Sequence, residues 1–501
     1  MNQDENAGEG KRKLSGNMGA VGLALTVLAF SAPLTSVSGY IPFGIIFGGV
    51  GTPLVYALTT IAMLLFTVGY MALNNIVKRP GDFYSFVSFG IGKSTGLGAG
   101  ILATVAYLLI LSGVCVFFGL FASSLQKEVF GSSLPWYVYG FGCWLLVAIL
   151  GYLHVELSTK VLTWVMILEV LTCVSFSLFV LHDGGVHDIP AIAPFLPSSL
   201  SGSSINVPFA VLFAVSMFLG FEATALFRDE VRTPDKTIPR ATYGAVILIG
   251  LLYTLCSYAL VIAYGANAQA VATKSPDTMF SIAFAKFVNA RLHILISVLV
   301  LTSCFASCLS IQNVLSRYLH NLGSDKALPA FLGRVHAKHQ SPYLASISVS
   351  SITFAILCAT VIMQLDPNLV YGRLSGVGTA GVAILMTIVN FASLQWYLKA
   401  GKRAGAKVAN SFAAPALSAV FFLWMVYLVA KHFELLVGGQ PGECVWMLYA
   451  LVAIQVAGTG LGVYYKFFKP AVFQNLGRSL AESADIDGGP SPDSGMSLER
   501  V

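Results

Sequence analysis

Apolar runs of membrane length, separated by short polar breaks, recur from residue 18 to residue 467. A helix needs about 20 predominantly apolar residues to cross the hydrocarbon core of a bilayer. The pattern predicts twelve spans, at 18–48, 52–77, 97–125, 136–153, 158–181, 207–230, 239–265, 292–320, 342–364, 370–397, 411–431 and 444–467. The first is too long for a cleaved signal segment, and no small-residue cleavage site followed by a soluble chain is present. The polar ends, 1–15 and 471–501, are rich in Gly, Ser, Asp and Glu and are expected to be disordered. One membrane domain, 16–470, lies between them. The expected fold class is an all-α polytopic membrane protein.

Two spans break their own pattern. The first carries SAPLTSVSGY at 31–40, where Pro33 cannot donate a helical hydrogen bond and Ser, Thr and Gly follow. The sixth carries FLGFEA at 218–223, centred on Gly220. Irregular backbone at membrane depth is tolerated where it lines a cavity or is buried in protein. The breaks lie five spans apart, the position expected if spans 1–5 and 6–10 are inverted repeats with a substrate site between the interrupted pair. A helix restarting near Gly39 would offer free N–H groups to a carboxylate. Half-helices ending near Ala32 and Leu219 would offer carbonyls to an ammonium group. A zwitterionic amino acid fits both ends. The alternative is a proline kink and a tolerated glycine, each common in membrane helices.

Composition and charge narrow the class. Of 501 residues 56% are hydrophobic and 10% charged, against about 25% charged in soluble domains. With the N-terminus inside, every Lys and Arg except Lys127, Lys274, Lys286, Arg291, Arg373 and Lys431 falls on the inner side. That bias predicts cytoplasmic termini in a cytoplasmic membrane, and it makes the net charge of +6 a matter of topology rather than nucleic-acid binding. The eight cysteines show no pairing and no metal spacing and are read as packing residues.

Four stretches carry a family resemblance. GFEATALFRDEVRTPDKTIPRATYG at 220–244 resembles the sixth-span signature of the amino acid–polyamine–organocation transporters. KRPGDFYSFVSFGIG at 78–92, SRYLHNLGSDKALP at 316–329 and SAPLTSVSGYIPFG at 31–44 are similar to that family's loops after spans two and eight and to its first-span break. The resemblance covers about residues 18–467. It implies a five-plus-five inverted repeat with two further helices, alternating access, and carriage of amino acids or related amines. Spans 1, 2, 6 and 7 would rock against 3, 4, 8 and 9. It places the substrate carboxylate on the backbone of Ser36, Val37, Ser38 and Gly39, and the other side of the pocket at Phe218, Leu219, Gly220 and Phe221. Many relatives have Gly-Ser-Gly where this chain has Val37-Ser38-Gly39, which crowds that side. Several keep a gating aromatic where Ser216 stands here, so that Phe218 or Phe221 would have to close the pocket, or the pocket is larger. The stretch 275–289 reads as a short amphipathic helix, in the family an outer lid.

Two charges lie deep in the expected spans, Glu169 and Glu222, while Arg373 sits near an outer mouth. Intramembrane ionisable residues mark function by default. Three roles compete for Glu222: partner of a substrate ammonium, carrier of a proton, or acceptor of backbone N–H groups at the break. Glu169 stands about where some proton-coupled relatives carry a lysine, which makes a carboxylate proton site the expectation, with a hydrogen-bonded structural glutamic acid as the alternative. Ser303, Ser307 and Ser310 could add oxygens to a sodium site, the lesser reading beside helix packing. Tyr107 could face the site from span three. Asn313 and Asn390 are expected between helices. No cofactor or metal is expected. The histidines are scattered, and no HExxH, CxxC pair or phosphate loop suggests an enzyme. No charged rings suggest a channel. KRPGD does not match the major-facilitator loop. The expectation is a proton-coupled carrier, with an exchanger as the alternative.

Overall fold

The computed structural model describes residues 18–152, 155–336, 341–437 and 442–477. The expected tail 1–15, and the expected tail beyond residue 477, lie outside the described residues. Those described form helices and turns, with one isolated bridge between Met18 and Val231 and no strand.

The first expected span is a pair of helices, α1 (Ala20–Ser31) and α2 (Pro33–Gly48), and the second is α3 (Thr52–Ile76). A short helix outside the spans, α4 (Asp82–Gly90), leads to α5 (Lys93–Phe130), α6 (Trp136–Tyr152) and α7 (Val155–Asp183). The sixth span is α8 (Val207–Ser216) followed by a 3-10 helix, Phe221–Glu230. Then come α9 (Pro234–Tyr264), the short α10 (Ala268–Lys274) and α11 (Pro276–Phe287), and α12 (His293–Ser324). The last are α13 (Tyr343–Ile362), α14 (Pro367–Trp396), α15 (Ala414–Lys431), α16 (Phe433–Val437), α17 (Val445–Phe468) and α18 (Pro470–Asn475).

Ten stretches are long and apolar enough to cross a membrane. One of them, Pro33–Ile76, holds both α2 and α3, and Ala20–Ser31 and Trp136–Tyr152 are shorter apolar helices. Each expected span therefore has its helix or helix pair. Burial orders them: 89% of the apolar window in Val207–Glu230 lies inside the protein, against 17% in Val445–Phe468. Span six is central and span twelve peripheral. Outer helices keep large apolar side chains exposed, among them Leu145, Trp164, Val420 and Tyr449, a surface that suits lipid tails.

Three elements refine the sequence reading. The first break is confined to Ala32, at φ +45°, and α2 restarts at Pro33 rather than near Gly39. Proline is well placed at the first helical position, where its missing N–H has no intrahelical partner to lose. Within that helix the hydroxyls of the Ser/Thr/Gly run are satisfied by earlier carbonyls: Ser36 Oγ donates to the Ser31 carbonyl at 2.6 Å and Ser38 Oγ to that of Leu34 at 2.7 Å. The expected tail from 471 starts instead as helix α18, and Leu476 is buried beside Tyr84, Leu97 and Leu322. Its apolar residues have a docking place that composition alone did not reveal. The amphipathic stretch at 275–289 is α11, whose Phe280 packs edge-on against Phe176 of α7 at 4.9 Å.

The loops after spans two, six and eight meet the described ends of the chain at one face. Met18 N donates to the Glu230 carbonyl at 3.1 Å, and Arg232 N to that of Met18 at 3.2 Å. Arg79 pairs with Asp325, which also accepts from Gly477 N at 3.2 Å. This is the Lys/Arg-rich face of the molecule.

Candidate functional site

The two breaks touch. Gly220 sits at φ +109°, and a Cβ there would lie 2.5 Å from Cβ and Cγ of Phe30, in the last turn of α1. Only glycine allows both that conformation and that approach.

Each restart is capped by a buried carboxylate. At the first break Leu34 N donates to Glu169 Oε2 at 3.1 Å and Thr35 N to Ser303 Oγ at 3.3 Å. Ser303 Oγ in turn donates to Glu169 Oε2 at 2.6 Å, while Glu169 Oε1 is buried without a partner among the described residues. At the second break Gly220 N lies 3.1 and 2.9 Å from the two carboxylate oxygens of Glu222, and Tyr107 donates to Glu222 Oε1 at 2.5 Å. Negative charge at a helix start is favoured by the peptide dipoles. The backbone-holding contacts weighed for Glu222 are thus present.

The remaining expected site residues divide. Ser36 and Val37 are buried in the first turns of α2, and Ser36 N bonds the Ala32 carbonyl at 2.8 Å, inside the helical ladder. The N–H groups that reach outside that ladder belong to Leu34 and Thr35, two positions earlier than expected. Ser38 and Gly39 are partly exposed, and a Cβ on Gly39 would meet nothing within 4 Å, so the chain borders open space there. Phe218, Leu219 and Phe221 are buried, and Phe221 stands edge-on to Phe66. Tyr107 joins the second break, packed edge-on against Phe30 at 5.4 Å. Glu169 and Glu222 share no hydrogen-bond partner. Ser307 and Ser310 donate to the carbonyls of Phe30 and Thr26 at 2.8 and 2.9 Å, fastening α12 to α1. Asn390 bonds Ser418 across α14 and α15 at 3.2 Å.

Buried charge is not confined to the two acids expected deep in the spans. Arg317 is buried and makes a bidentate pair with Glu230, both bonds 2.6 Å, with its guanidinium 4.1 Å from the Phe227 ring centre. Asp82 is fully buried at the start of α4. Tyr318 donates to Asp82 Oδ2 at 2.7 Å, and the Tyr70 hydroxyl lies against Oδ1. Burial first, and the nearby Glu222 carboxylate second, push the Asp82 carboxyl well above the usual carboxylate range. Its φ of +44° adds a backbone cost of about 1–2 kcal/mol for a non-glycine residue. These residues escaped notice because they stand in polar loops or at span ends, where charge is ordinary. The available signal was Phe83-Tyr84 directly after Asp82, an aromatic pair in a loop that has to pack somewhere.

A profile described as amino acid permease matches residues 22–466. The branched-chain amino acid permease BcaP of Bacillus subtilis (strain 168) is 24% identical over 76% of this chain and 82% of its own length. The low-affinity putrescine importer PlaP of Escherichia coli (strain K12) is 23% identical over 67% of this chain and 74% of its own. The serine/threonine exchanger SteT of Bacillus subtilis (strain 168) is 24% identical over 58% and 63%.

Proposed function

The chain belongs to the amino acid permease family, and from that premise we propose that this transporter takes up a neutral amino acid together with a proton, with its Lys/Arg-rich face in the cytoplasm. The observation that carries the reading is the state of the two carboxylates at the touching breaks. Glu222 is held by Gly220 N–H and Tyr107, and Glu169 by Leu34 N–H and Ser303. A polyamine would have to displace these donors at Glu222, and at Glu169 would meet a single unpartnered oxygen. A zwitterion needs no free anion, since its ammonium group is met by the carbonyls that end α1 and α8. The partly exposed backbone at Ser38 and Gly39 supports a carboxylate position on the far side of the same gap. Neither glutamate has a basic partner among the described residues. Burying a charge without a counter-charge is costly, and a bound proton removes that cost. Alternating access then amounts to rocking of the broken spans, with spans two and seven, against the rest of an inverted-repeat bundle.

The test is radiolabelled uptake into proteoliposomes, with a panel of amino acids and polyamines, with and without an inward proton gradient. Saturable uptake of a neutral amino acid, stimulated by the gradient, is expected. Uptake that ignores the gradient and requires substrate inside would replace the reading with an exchanger. Stimulation by sodium instead would move attention to the unpartnered Glu169 oxygen beside Ser303. Glu222→Gln and Glu169→Gln, compared in the same assay, show which carboxylate carries the pH response.

A further inference from the structure

Asp82 lies beneath the second break and plays no part in the site as described above. It combines full burial with a left-handed backbone, two unfavourable features at one residue. Its hydrogen bonds bear on where its proton sits. The Tyr70 hydroxyl lies against Asp82 Oδ1 and is also 2.7 Å from the backbone carbonyl of Glu222. A tyrosine hydroxyl has one proton, and a carbonyl oxygen can only accept. If Tyr70 gave its proton to Asp82, its oxygen would face the Glu222 carbonyl oxygen with nothing between them. With the Tyr70 proton on the Glu222 carbonyl, the contact to Asp82 is a hydrogen bond only when Asp82 Oδ1 carries a proton and donates it to Tyr70. Tyr318, which donates to Oδ2, satisfies the other oxygen of a protonated carboxyl. Glu222, by contrast, only receives: from Tyr107 and from Gly220 N.

We propose that Asp82 is a proton-binding site of the carrier, occupied while the Lys/Arg-rich face is closed and emptied to that side when the Phe221–Glu230 segment moves away from Tyr70. Separation removes the Glu222 carbonyl from Tyr70. The Tyr70 hydroxyl then turns its proton to Asp82 Oδ1, the Asp82 O–H bond breaks, and water takes the proton as hydronium. The carboxylate left behind accepts from both Tyr70 and Tyr318. Release is thereby tied to opening. The side chains that bond the Asp82 carboxyl among the described residues, Tyr70 and Tyr318, carry no positive charge. Helix α3 presents Tyr70, the 3-10 segment Glu222, α12 Tyr318, and α5 Tyr107, whose ring lies 5.7 Å from that of Tyr318. On α4 itself Tyr84 bonds Asp325. The single charged residue of α14, Arg373, pairs with Glu443 near the other end of that helix.

The proposal rests on the proton-coupled reading, and the experiment separates the two. Purified protein gives an infrared difference spectrum between wild type and Asp82→Asn, alongside uptake by both in proteoliposomes. At neutral pH the wild type should show a protonated-carboxyl C=O band that Asp82→Asn lacks, and Tyr70→Phe, which removes the acceptor of that proton, should move it to higher frequency. In transport, Asp82→Asn should lose gradient-driven uptake by about ten-fold more than it loses substrate exchange at equal pH on both sides. If Asp82→Asn fails to fold, a wild-type spectrum with no protonated-carboxyl band that shifts in Tyr70→Phe would overturn the proposal. Gradient-driven uptake by Asp82→Asn with a wild-type pH profile would overturn it too. A wild type whose uptake ignores the gradient, while the band is present, would sink proton coupling and leave Asp82 a protonated structural residue.

Discussion

In span one the turn is made by Ala32 and capped from outside, by Glu169 of α7 and Ser303 of α12. In span six the turn is made by Gly220 and capped from within, by Glu222 two residues further on, with Tyr107 of α5 fixing the carboxylate. The two breaks face the same problem, unpaired N–H groups at a helix start inside a membrane protein. They differ in who supplies the acceptor. A shift of α2 relative to α7 and α12 uncaps the first break, so its backbone reports the position of its neighbours. The second keeps its Glu222 cap wherever the segment goes, and leaves behind Tyr107 at the carboxylate and Tyr70 at the Glu222 carbonyl. Span one therefore loses its cap when the bundle rearranges, while span six carries its cap with it.

Substitutions that separate the two breaks follow in order of size. Span six is anchored at its far end by the buried Arg317–Glu230 pair, which span one lacks, so Arg317→Ala leaves Glu230 buried alone and should cost about 3–5 kcal/mol; thermal unfolding in detergent reads it. Gly220→Ala should cost about 3 kcal/mol, from the strained φ and the contact with Phe30 together, and uptake should fall with it. Tyr107→Phe removes a hydrogen bond to a carboxylate and should cost about 2 kcal/mol. In a double-mutant cycle with Glu222→Ala, which removes the acceptor, its effect should largely vanish, because the two act as one unit. Ala32→Gly relieves a left-handed alanine while adding unfolded-chain freedom, and should stay within about 1 kcal/mol of the wild type. A large loss from Ala32→Gly, with Gly220→Ala tolerated, would invert the comparison.

The spans, the two interrupted helices and the amphipathic α11 were legible because each leaves a mark in composition over ten or more residues. Glu222 stood out as an acid in an apolar run. The exact restart of α2 did not show, because a Ser/Thr/Gly run reads as a loop unless its hydroxyls are known to bond the preceding turn, as those of Ser36 and Ser38 do. Asp82 was hidden for the opposite reason. A loop acid is unremarked until the fold seals it between Tyr70 and Tyr318. The docking of Leu476 depends on a pocket assembled from Tyr84, Leu97 and Leu322, residues far apart in the chain. Periodicity reports an element's own face and says nothing of such distant partners.

The ten residues from Phe221 to Glu230 are wound as a 3-10 helix. At about 2.0 Å per residue they reach about 20 Å, where an α-helix of the same residues would reach about 15 Å. The segment is held at its two ends, by Gly220 against Phe30 and by Glu230 on Arg317. An α-helical winding of the same ten residues would draw those two contacts about 5 Å closer together.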